Sequence, residues 1–167
     1  LKTNPDPRFR RWVLSCMIGN TYYHNFVTHL MEAAYQRKVY QIVDAGGSVN
    51  AETLTRLMKE TLQSFWGEDV EISDDAAYTW MRQPHYYMGL YSYTYSAGLT
   101  VATQVCKRIE KEGQCAVDDW KKVLAAGSTL DPAGLARLAG IDITTDAPLL
   151  DTIAYIGEII DEIERLT

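Results

Sequence analysis

Residues 84–98 read PHYYMGLYSYTYSAG, and the period assigned to their tyrosines decides the fold. Tyr91-Ser92-Tyr93-Thr94-Tyr95 alternates large and small side chains in strand-forming residues, so by itself it reads as a strand. On a helix, Tyr87, Tyr91 and Tyr95 stand at i, i+4 and i+8 and line one face. From Gly98 to Gly113 the chain is patterned as a helix, and no turn residue separates the two pieces. Period alone leaves both readings open.

The same segment concentrates chemistry. It holds five of the chain's eleven tyrosines and one of its three histidines. A buried tyrosine needs a partner for its hydroxyl, so five together are a costly way to fill a core. On a surface, phenols and an imidazole grip a peptide backbone and donate hydrogen bonds to a developing oxyanion. Neither group activates water unaided, so such a surface needs a metal or base from elsewhere. An aromatic core with polar tips is the other reading of the same residues.

Outward from this segment the pattern is helical. Asp6-Pro7 opens a helical stretch running to about Asp44, either one long helix or two consecutive ones broken near Gly19-Asn20, and Ala45-Gly46-Gly47-Ser48 stops it. Asn50 caps a helix with Leu54, Leu57, Met58, Leu62 and Phe65 on one face, ending at Gly67. Glu68–Ser73 reads as a short, extended connection, and Asp74-Asp75 begins a short helix through Trp80. Val117–Ala126 forms another helix, and Asp131-Pro132 opens a short one ending at Gly140. From Asp146, Leu149, Ile153, Ile156, Ile160 and Ile163 recur in a 4,3,4,3 rhythm. Two heptads are too few for a coiled coil, so this seam is expected to dock on its own domain. The predicted fold is all-α, with little or no β structure, and residues 1–167 form a single helical domain.

Composition excludes several functions. A net charge of −6 without a basic cluster argues against nucleic-acid partners. No apolar run reaches bilayer length, so no membrane partner is expected. Cys16, Cys106 and Cys115 make an odd number without CxxC spacing, which favours a reducing, cytoplasmic setting over a disulfide framework. Cys106 and Cys115 have no cation cluster beside them and read as inert. The acidic run Glu158–Glu164 reads as a solvated helix face. Leu1 is followed by sequence of mid-chain character, so a fragment of a larger protein is expected.

His24, His29 and Glu32 lie within nine residues, but the histidines are five apart, about 140° around an α-helix, where a helical zinc site uses i, i+4. His29 and Glu32 share a face, yet two ligands hold zinc weakly, so they read as ordinary helix-face residues. No HExxH, P-loop or GxSxG motif occurs in the sequence.

Pro84–Leu99 resembles the "PHFY…FYVYQYATG" segment of the oligopeptidase F branch of zinc metallo-oligopeptidases, relatives of thimet oligopeptidase. Ala126-Gly127-Ser128 with Pro132, Leu135 and Ala139-Gly140-Ile141-Asp142 is similar to that family's "GGS…P…L…AGVD" stretch, and Asn20–Tyr40 to the helix after its metal site. The resemblance covers essentially the whole chain. It implies a helical bundle forming the C-terminal part of a zincin-type catalytic domain, and it places the tyrosine segment on a helix. It implies zinc in the full-length enzyme, held by an HExxH helix and a downstream Glu outside this chain, with no metal bound by the fragment. Its partners would be short peptide substrates and the zinc-binding half of the same protein. By motif position, Tyr95 and His85 take catalytic roles at the oxyanion, and His85, Tyr91, Tyr87 and Tyr93 bind substrate. The parent would be a zinc metalloendopeptidase, with the fragment alone inactive. A non-catalytic helical module that binds peptide is the alternative.

Overall fold

The computed structural model describes residues 3–167, and among them there is helix but no strand. The α-helices are α1 (Pro7–Cys16), α2 (His29–Asp44), α3 (Ala51–Trp66), α4 (Thr79–Arg82), α5 (Tyr93–Glu112), α6 (Gln114–Ala126), α7 (Pro132–Leu138) and α8 (Ala147–Arg165). The chain divides into two compact units, one of Val27–Ser96, the other of the chain up to Phe26 together with Ala97–Thr167. No described helix is long and apolar enough to cross a membrane.

Local cap chemistry explains three of the helix starts. The Asp6 carboxylate accepts from the Arg8 amide at 2.9 Å, with Pro7 at the first helical position. Asn50 accepts from the Thr53 amide at 2.8 Å, and Asp131 from the Gly134 amide at 2.6 Å. Asp146 makes no such side-chain bond, and α8 begins one residue later. Of the two readings of this stretch, the unbroken one holds near Gly19-Asn20. Met17–Thr28 is π-helical, a widened turn that carries the chain from α1 into α2. Glycine weakens an α ladder there, and the helix widens rather than stops. α6 likewise starts at Gln114, three residues before the expected Val117.

In the Val27–Ser96 unit, α2 and α3 close on Tyr35, Leu57 and Met58, with Val39, Ile42, Leu54, Leu62, Trp80 and Tyr86 packed around them. Phe65 does not join the α3 face that its spacing suggested. It is half exposed and meets Trp66 edge-on, because the last turn of α3 runs past this core. The expected single helix at Asp74–Trp80 is a 3-10 turn, Asp74–Tyr78, followed by α4. Trp80 fixes α4 to α3 by donating from Nε1 to Thr55 Oγ1 at 3.1 Å.

The other unit centres on Val105, Ala139 and Ile141, flanked by Val101, Ile109, Trp120, Val123 and Ile143. Helix α8 docks within this unit, against α1, where Arg10 Nε meets Glu162 Oε1 at 2.8 Å. The buried line of α8 runs through Thr152 and Ile159, whereas Ile153 and Ile160 are 48% and 42% exposed. The apolar seam is therefore rotated from its expected position. Polar ties from α5 set this rotation: Gln104 Nε2 donates to Asp151 Oδ2 at 2.7 Å and to Thr152 Oγ1 at 3.2 Å, and Lys107 pairs with Asp151.

Candidate functional site

One half of the site stands on the buried face of α2. His29, Glu32 and Gln36 recur at i, i+3 and i+7, so their side chains line one side of the helix. All three are buried, Glu32 with only 6% of its surface exposed. Burying a carboxylate is expensive unless its surroundings stabilise the charge. Glu32 Oε1 accepts a 2.9 Å hydrogen bond from Gln83 Nε2. Its Oε2 has no hydrogen-bond partner, and lies 3.6 Å from His85 Nδ1 and 4.0 Å from His29 Nε2.

The other half comes from the tyrosine segment. Pro84–Tyr87 forms a 3-10 turn carrying His85. Gln36 Nε2 donates to the carbonyls of His85 at 3.3 Å and Gly89 at 2.7 Å, which ties this turn to α2. Gly89 takes φ +68°, a backbone state that side-chain-bearing residues rarely adopt, and it ends the turn. Helix α5 then begins at Tyr93. The single tyrosine face running from residue 87 to 95 is thus interrupted.

The interruption sorts the tyrosines. Tyr91 and Tyr95 remain neighbours, their hydroxyls 3.5 Å apart and their rings edge-on. The His85 ring lies 5.1 Å from that of Tyr91 and 5.3 Å from that of Tyr95. His29 stacks on Tyr95 with ring centres 4.0 Å apart. Tyr87 lies outside this group, 69% exposed, and its hydroxyl donates to the Trp80 carbonyl. Tyr93 is also exposed and does not join the ring cluster. So of the five residues singled out from sequence, the structure gathers His85, Tyr91 and Tyr95.

The electrostatics favour donation by Tyr95. The hydrogen bond with Tyr91 pushes its phenol pKa up, with burial and the charges of Tyr91 and Glu32 adding to the rise. A raised phenol stays protonated at neutral pH and keeps its O–H to give.

His29 and Glu32 are not the ordinary helix-face residues that their local spacing suggested. Both are buried, and with His85 they form a group whose nitrogen and oxygen atoms all lie within 4.8 Å of one another. His24, by contrast, is exposed. The third member arrives from a remote stretch of chain, so no local spacing rule reveals it. The signal present in the sequence was three polar residues at i, i+3 and i+7 on one helix face.

The chain is similar to known proteins in sequence and in fold. The profile of Peptidase family M3 matches residues 15–155. The chain is 27% identical over 161 residues to Oligopeptidase PepF of Bacillus subtilis, covering 96% of this chain and 24% of that protein. It is 25% identical over 141 residues to an Oligoendopeptidase F homolog of Borreliella burgdorferi, again covering 24% of the relative and 84% of this chain. Its fold matches the crystal structure of oligoendopeptidase-F from Enterococcus faecium with a TM-score of 0.92 at 24% identity, covering 99% of this chain and 32% of that one. The chain therefore spans about a quarter of the length of the curated relatives it matches.

Proposed function

The chain belongs to peptidase family M3, and from that premise we propose that it is the substrate-binding part of a zinc endopeptidase for short peptides. The observation that carries this reading is the convergence of His85, Tyr91 and Tyr95 at ring separations of 5.1–5.5 Å. Tyr95 and His85 donate hydrogen bonds to the oxyanion that forms on the scissile carbonyl. Tyr91 holds the Tyr95 hydroxyl and grips the peptide backbone. Tyr87 and Tyr93, both exposed, contact the substrate beyond that point. The catalytic zinc, when bound, supplies the Lewis acidity that activates water. No HExxH helix exists in these 167 residues to hold it, so the zinc-binding half lies in another part of the protein. The parent works in the cytoplasm, in keeping with the free thiols of Cys16, Cys106 and Cys115.

Tyr95→Phe in the full-length parent enzyme tests this. Removing one oxyanion donor lowers kcat by about 10²–10³ and leaves KM nearly unchanged. Unchanged kcat removes Tyr95 from the chemistry. The 167-residue chain alone is expected to bind fluorogenic peptides without cleaving them.

A further inference from the structure

We propose that His29, Glu32 and His85 form a binding site for a divalent transition-metal ion of the zinc class, complete within this chain. The expectation drawn from sequence was that the fragment binds no metal. The inference rests on the geometry of these three side chains and does not depend on the peptidase reading.

Three observations support it. First, the donor atoms converge: Glu32 Oε2 is 3.6 Å from His85 Nδ1 and 4.0 Å from His29 Nε2, and the three lie within 4.8 Å of one another. Tetrahedral zinc with bonds of about 2.0–2.1 Å holds its ligand atoms roughly 3.3 Å apart. Small side-chain rotations close the difference. Second, Glu32 Oε2 is buried and accepts no hydrogen bond, although its charge demands a positive neighbour. Third, the carboxylate is already oriented. Gln83 Nε2 holds Glu32 Oε1 at 2.9 Å, the kind of outer contact that fixes a metal ligand.

The same amide stands 3.0 Å from His85 Nδ1. Metal binding there takes the Nδ1 lone pair from Gln83, which keeps its bond to Glu32. His85 Nε2–H then stays available as a donor. Two imidazoles and one carboxylate suit zinc, cobalt or ferrous iron, whereas calcium and magnesium prefer all-oxygen sites. The ion enters beside His85, whose side chain is 19% exposed while that of Glu32 is only 7%.

The test uses the purified 167-residue chain, stripped with chelator and then titrated with Zn²⁺ by calorimetry and with Co²⁺ by visible absorption. One equivalent is expected to bind, with ligand-field bands and no thiolate-to-cobalt transition. Zn²⁺ is expected to raise the melting temperature of the wild type and of His24→Ala alike. Glu32→Gln and His29→Gln are expected to lose at least about tenfold in affinity, together with the thermal shift. If either variant fails to fold, His85→Asn, at the more exposed position, takes its place. The wild-type cobalt spectrum stands without any variant. No saturable binding by the wild type overturns the site. A thiolate transition overturns it too, as does undiminished affinity in folded Glu32→Gln. None of these readouts involves peptide hydrolysis, so failure here leaves the Tyr95 experiment untouched, and the reverse holds equally.

Discussion

Gly140 shows how a single residue is fixed by its surroundings. It sits at φ +76°, and a Cβ built there runs into Arg108 Nη1, with Cζ at 2.7 Å. Arg108 has little freedom to move aside. Its Nη1 donates to the Ala139 carbonyl, and its Nη2 reaches Glu112 Oε2 at 2.6 Å and Asp119 Oδ2 at 3.1 Å. Gly140→Ala therefore meets two penalties, about 1–2 kcal/mol for the left-handed backbone and a further loss from displaced guanidinium bonds. Urea unfolding is expected to show about 2–3 kcal/mol of destabilisation. In a double-mutant cycle, Arg108→Met removes the clashing group, so the pair is expected to be less costly than the two single changes added together. Full additivity contradicts the clash. The glycine itself was legible in the sequence as a helix stop. The guanidinium above it was not, because Arg108 and Ala139 are 31 residues apart.

At the scale of elements, Gln36 hydrogen-bonds α2 to the His85 turn. Its amide serves the carbonyls of His85 and Gly89, and Gln36→Leu leaves both without that donor while keeping a similar volume. The expected loss is about 1–3 kcal/mol in stability. Faster amide hydrogen exchange confined to residues 85–92 separates loosening of this turn from general destabilisation. Uniform exchange along the chain contradicts the role. Elements with local causes were readable from sequence: the Asp6, Asn50 and Asp131 caps each act within three residues of themselves. The tyrosine register was only half readable. Tyr91 and Tyr95 meet as an i, i+4 pair implies, but Gly89 breaks the helix that Tyr87 needed. Glycine permits that break without requiring it, and the bonds from Gln36 settle the matter. The two halves of the candidate site were illegible for the same reason, since Glu32 and Gln83 meet across 51 residues.

At the scale of the whole molecule, six carboxylates spread along the chain share one response to acid. The pKa values of Asp119, Glu112, Asp151, Glu162, Asp74 and Asp142 all lie below their ordinary values of 3.8 and 4.5. The leading causes are hydrogen bonds from Lys122, Arg108, Lys107, Arg10, Lys59 and Thr144 respectively. A carboxylate with a depressed folded pKa contributes stability above its unfolded pKa and loses it as pH falls through the folded value. The contribution of these six is therefore level at neutral pH and declines from about pH 4.5 downward. Each pair is solvent-screened and individually small, so only the joint effect is measurable. A second effect works in the same direction. Full protonation of the carboxylates leaves 16 Lys and Arg and three His unopposed, so the chain repels itself. Salt separates the two, because it screens long-range repulsion but does not return protons to solution. The urea midpoint is expected to fall between pH 7 and pH 3, and added salt at pH 3 to restore only part of the loss. Asp119→Asn with Asp151→Asn is expected to lower the midpoint at pH 7 and flatten its fall with acid. Full recovery by salt assigns the whole effect to net charge and removes these pairs from the stability of the fold.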